Sequence, residues 1–237
     1  MYEKIISSVV EAKIIDQKIL TKKIMYRYRL LTRNILKNRK DIEHVIYMLD
    51  SVTENSKEFP KIIFAYIASD TVAGKNKMGY YDPITDSIIM NINPSEIMAE
   101  DRLEAEINLA AFFTILEMNL QHELIHRQQY MKIKEDKKEK YDEYLAKSLT
   151  KPSLSNSRTT KDYLGDIHEV MTHANDVIQE LKSNGYTKKE IKEIIKQPSK
   201  ISASDSFTLD DYKKEFGSNH PIYKKLLQYA ISYAAKL

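Results

Sequence analysis

The sequence predicts a mostly helical α+β fold, and three observations carry that expectation. No Gly or Pro occurs between Ser95 and Lys151, and apolar residues recur through that stretch at helical spacing. A second stretch, Asp162 to Leu181, repeats the periodicity. Between residues 61 and 92 the pattern changes to short β-branched and aromatic runs broken at Asp82-Pro83.

Taken in order, residues 1 to about 55 read as one or two helices. Ile5, Ile6, Val9, Val10, Ile14, Ile19, Leu20 and Ile24 form an apolar stripe, which Leu30, Leu31, Ile35, Ile42, Val45, Ile46 and Leu49 continue. Lys61 to Ala68 reads as a strand. Met78 to Tyr81 and Ser87 to Ile92 read as a hairpin around Asp82-Pro83-Ile84-Thr85-Asp86, giving a small antiparallel sheet. Asn93-Pro94-Ser95-Glu96 has the form of a helix start, with Asn as cap and Pro at the first position. The long helix that follows is expected to bury Ile107, Ala110, Ala111, Thr114, Ile115, Met118 and Ile125. After a charged run, Lys151 to Thr160 is rich in Pro, Ser, Asn and Thr and reads as a loop, either a lid or a bare connector. The second helix places Leu164, Ile167, Val170, Met171, Ala174, Val177, Ile178 and Leu181 on one face. A short helix at Lys188–Lys196, a polar loop at Ser199–Asp205 and a final helix with Tyr223, Leu226, Leu227 and Tyr233 complete the chain.

The first long helix contains His122-Glu123-Leu124-Ile125-His126. Residues four apart share a helix face, so both imidazoles can point at one metal ion. Glu123 is then placed to take a proton from an attacking water. Two neutral imidazoles and a third N or O ligand suit Zn2+, with a coordination position left open. On the second helix, Glu169 and His173 are also four apart, with Asp166, His168 and Asp176 nearby. A carboxylate from that helix would complete a His₂Glu set.

On these residues the chain resembles the gluzincin branch of the zincin metallopeptidases, over residues from roughly 85 to 180. The resemblance implies a zincin-like core with an active-site helix and a second metal-ligand helix. It implies His122, His126 and Glu169 as zinc ligands and Glu123 as general base. Glu169 is the favoured third ligand; His173 is the rival ligand or else a group that orients a ligand or stabilises the oxyanion. Asp166 and His168 are weaker alternatives. It also implies an extended peptide or protein substrate pairing with a strand near the cleft, for which Ser87–Ile92 is the expected edge. A Tyr, His or Arg over the oxyanion is expected from His220, Tyr223, Arg127 or Tyr163, with Tyr223 better read as core. The metzincin pattern does not fit, because Gln129 and Lys132 stand where that branch has Gly and a third His.

Composition bounds the rest. The chain has 237 residues, 42% hydrophobic and 30% charged, as expected for a globular protein. No run approaches a membrane span, and no short apolar block precedes a small-residue cleavage site, so the expected location is cytoplasmic. The absence of Cys removes disulfides, thiol catalysis and thiolate zinc sites. The first 40 residues hold 11 Lys/Arg against three Asp/Glu, while the whole chain is only +3. That bias is best read as a solvated basic face and a candidate surface for an assembly partner; nucleic acid is the less favoured partner. The expected division is a helical extension at 1–56, a core at 57–185 and a helical subdomain at 186–237. The alternatives to a zinc peptidase are a structural or assembly protein, such as a phage virion component, and a binding module directed by the basic N-terminal helix.

Overall fold

A computed structural model describes residues 17, 19–38, 42–54, 56, 58–66, 79–93, 97, 101–136 and 160–237. The expected stripe from Ile5 to Ile14, nearly all of the Asn93–Glu96 helix start and the Lys151–Thr159 loop lie outside these residues. The described chain is mostly helical, with one three-stranded sheet. It divides into two compact units with the boundary between Glu135 and Asp136, which falls inside the 57–185 stretch expected to be one core.

In the first unit, helices α1 (residues 19–30), α2 (Thr32–Asn38) and α3 (Ile42–Glu54) precede strands β1 (Lys61–Tyr66), β2 (Gly79–Asp82) and β3 (Ser87–Ile92), followed by α4 (Arg102–Asp136). The sheet order is β1-β3-β2. The β2–β3 hairpin is antiparallel, as the Asp-Pro turn implies, but β1 pairs with β3 in parallel, Lys61 opposite Ser87 and Tyr66 opposite Ile92. The sheet is therefore mixed rather than antiparallel. A turn signal specifies only the pairing of the strands it joins, so it carried no information about the far side of β3. The same finding corrects the expected substrate edge: β3 is the central strand, with both edges already paired. Its nearly continuous Ile88-Ile89-Met90 run suits a strand covered on both sides.

The outer edge of β1 is closed by α3. Thr53 Oγ1 accepts from the Ile62 amide at 2.9 Å, and Asp50 Oδ1 accepts from the Phe64 amide at 2.7 Å. Side chains from a covering helix thus satisfy edge donors that would otherwise recruit another strand. Beneath lies a core of Ile24, Tyr28, Ile35, Val45, Leu49, Ile62, Phe64, Ile88 and Leu120, among others, with Tyr28 edge-on to Phe64.

Helix α4 is 35 residues long, about 50 Å of continuous helix. Asp101 caps it, accepting from the Glu104 amide at 2.8 Å. Its buried face is Ala105, Leu109, Phe112, Phe113, Leu116, Leu120 and Leu124. This corrects most of the expected stripe: Ile107, Ala110, Ala111, Thr114 and Ile115 are exposed, while Met118 is half-buried and Ile125 is buried as expected. Two apolar faces compete along this helix, and the one bearing the bulkier Leu and Phe removes more area from water.

In the second unit, α5 (Thr160–Leu164) and α6 (Ile167–Ser183) are separate helices, not one. Gly165 interrupts them, and Asp166 caps α6 by accepting from the His168 amide at 3.0 Å. Helices α7 (Lys188–Ile194), α8 (Phe207–Phe216) and α9 (Pro221–Ala235) follow. The apolar face predicted for α6 is buried: Val170, Met171, Ala174, Val177, Ile178 and Leu181. This helix packs against α7, α8 and α9, whose buried residues include Ile191, Leu209, Tyr223, Leu226 and Ala230. Among the described residues no helix is long and apolar enough to cross a membrane.

Candidate metal centre

His122 and His126 belong to the first unit and Glu169 and His173 to the second. In the first unit, α4 sets the two motif imidazoles on successive turns, with Nε2 of His122 and Nε2 of His126 only 3.1 Å apart. Two nitrogens on a tetrahedral zinc ion, each about 2.05 Å from it, would stand about 3.3 Å apart. The separation of the pair is therefore close to that of two ligands of one ion.

The ring of His126 is oriented by Gln129, a residue the sequence reading used only to exclude the metzincin pattern. Its Nδ1 lies 3.0 Å from Oε1 of Gln129, which is buried at 4% exposure. An amide oxygen only accepts, so Nδ1 carries the proton and the lone pair sits on Nε2, the form a metal ligand needs. The signal was present in the sequence, since Gln129 follows His126 by three positions on the same helix. Glu123 is buried at 7% exposure, away from bulk water.

Arg127, an expected oxyanion candidate, has another engagement. Its Nε and Nη2 donate to the two carboxylate oxygens of Asp86 at 2.6 and 2.8 Å, and Tyr81 also donates to Asp86 at 3.0 Å. Asp86 is the one described non-glycine residue with positive φ, +50°, at the end of the hairpin turn. The clamp ties the hairpin to the residue next to His126. Partial burial raises the Asp86 carboxyl, but the Arg127 guanidinium and the Tyr81 hydroxyl outweigh it and hold the group below its ordinary range.

In the second unit, Glu169, His173, Asp176 and Glu180 form a polar line along α6, opposite its apolar face. His173 Nδ1 is 2.9 Å from the hydroxyl of Tyr212 on α8, and the rings of Tyr163 and Tyr212 pack edge-on against the imidazole at 5.7 and 5.6 Å. Burial, then the carboxylates of Glu169, Asp176 and Asp166, push the Tyr212 phenol far above its usual range. Tyr212 lies 39 positions from His173, so no local pattern could have announced the contact.

Of the remaining candidates, Asp166 is occupied as the α6 cap, and His168 sits in the first turn of α6. His220 caps α9, its Nδ1 accepting from the Ile222 amide at 3.2 Å, and Tyr223 is buried at 3% exposure as a core residue. Comparison with family models, curated proteins and solved structures gave no match.

Proposed function

We propose that this chain is a zinc-dependent peptidase of zincin type, cutting a peptide or protein substrate. His122, His126 and Glu169 hold the ion in this reading, and Glu123 is the general base. The donor chemistry is apt, since two neutral imidazoles and a carboxylate are a ligand set that zinc takes. The observation that carries the reading is the 3.1 Å spacing of the two motif Nε2 atoms, with Gln129 fixing the tautomer of one ring. When bound, zinc would polarise a scissile carbonyl and acidify the attacking water. Glu123, shielded from solvent, would take a proton from the attacking water and deliver it to the departing amine nitrogen.

The test compares wild type with Glu123→Gln for zinc content and for cleavage of a peptide library. Both proteins should carry zinc, while hydrolysis by the variant should fall about 100- to 10,000-fold. Wild type that binds no zinc, or a variant that cuts as fast, would overturn the proposal. A second reading, an assembly role, draws on Ile19, Tyr26 and Leu30, which are exposed along α1. Zinc binding without cleavage in either protein would favour it.

A further inference from the structure

We propose that Tyr212 is a positioning residue that holds His173 as its Nε2–H tautomer, making this imidazole a hydrogen-bond donor and not a metal ligand. Tyr212 is fully buried, and among the described residues the one hydrogen bond of its hydroxyl is to His173 Nδ1. A phenol is protonated at neutral pH. Its hydrogen must therefore go to Nδ1, or remain buried with no acceptor, which is the costlier arrangement. In the reverse assignment, with Nδ1–H donating to the phenol oxygen, that hydrogen would be stranded. A neutral imidazole that accepts at Nδ1 carries its proton on Nε2. The two tyrosine rings edge-on to His173 hold the direction in which that N–H points.

The consequence for chemistry rests on the zinc-peptidase reading. A fixed Nε2–H is suited to stabilising the negative oxygen of a tetrahedral intermediate. It is unsuited to ligation, because becoming a ligand would require His173 to move its proton and abandon the bond from Tyr212. Glu169 is then the sole ligand contributed by α6.

The tautomer is read directly by long-range ¹H–¹⁵N correlation of the histidine rings in the metal-free full-length protein at about pH 8, where imidazole is neutral. Wild-type His173 should appear as Nε2–H. Tyr212→Phe keeps the ring but loses the donor, and should give a mixture of tautomers. An Nδ1–H form in wild type, or a pattern unchanged in Tyr212→Phe, would overturn the proposal. If Tyr212→Phe does not fold, the wild-type spectrum still decides the tautomer. His173→Ala adds an independent arm: zinc stoichiometry should match that of wild type, and loss of zinc would make His173 a ligand after all. A wild-type protein that binds no zinc would sink the peptidase reading and leave the tautomer assignment standing.

Discussion

Single side chains decide how well two histidines on a helix are suited to ligation. His122 and His126 share a face by helical geometry, and Gln129 suits His126 to ligation by choosing which nitrogen keeps the proton. Gln129→Ala should weaken zinc binding about 10- to 100-fold in competition with a chromophoric chelator, while circular dichroism stays unchanged. Equal affinity in the two proteins would remove Gln129 from the centre. Asp86 makes a different contribution, to stability. Its carboxyl is held below the ordinary value, so its interaction with Arg127 is fully present above about pH 4 and fades as pH falls through the depressed folded value. Asp86→Asn tolerates the left-handed φ while removing the charge. It should cost about 1 kcal/mol at neutral pH in urea unfolding, modest because the Asp86 side chain is 40% exposed and screened. The difference from wild type should close in acid.

At the scale of elements, each helix is set by how its ends and its far face are satisfied. The break between α5 and α6 is a case of this: Gly165 and the Asp166 cap restart the helix, aligning Glu169, His173, Asp176 and Glu180 toward α8. A methyl group at Gly165 would sit 2.9 Å from the Lys161 carbonyl, so the chain is tight there. Glu180 fastens the start of α8, accepting from the hydroxyls of Ser206 at 2.5 Å and Thr208 at 2.6 Å and from the Thr208 amide at 3.3 Å. Glu180→Ala should destabilise the protein by about 1–2 kcal/mol, measured by urea unfolding. Burial, only partly offset by the Ser206 and Thr208 bonds, raises the Glu180 carboxyl. The sign is thus opposite to that of Asp86: the folded state takes up its proton more readily, and this contribution declines as pH rises through the raised value. Stability against pH should show that slope in wild type and lose it in Glu180→Gln.

For the whole molecule, the functional reading predicts linkage between metal and stability. A ligand that binds only the folded state adds about 2.7 kcal/mol at a free concentration one hundred times its Kd. Zinc should therefore raise the melting temperature, a chelator should reverse the gain, and His122→Ala should respond to neither. A melting curve indifferent to zinc would count against the metal centre. The mostly helical α+β class, the long motif helix and the buried face of α6 were all legible, because periodicity over many residues reports which side meets a core. The buried face of α4 was misread where two apolar stripes ran side by side, and only the packing of Leu109, Phe112 and Leu116 resolved them.

By itself, the sequence determined the spacing of His122, Glu123 and His126, the hairpin at Asp82-Pro83 and the shared face of Glu169 and His173, all relations within a few residues along the chain. The tertiary structure alone decided that β1 joins β3 in parallel, that Arg127 is held by Asp86 and that Tyr212 grips His173. The physical reason is range: helical period and turn chemistry act between near neighbours, whereas these contacts join positions 26 to 41 residues apart and form only when a folded core brings them within bonding distance.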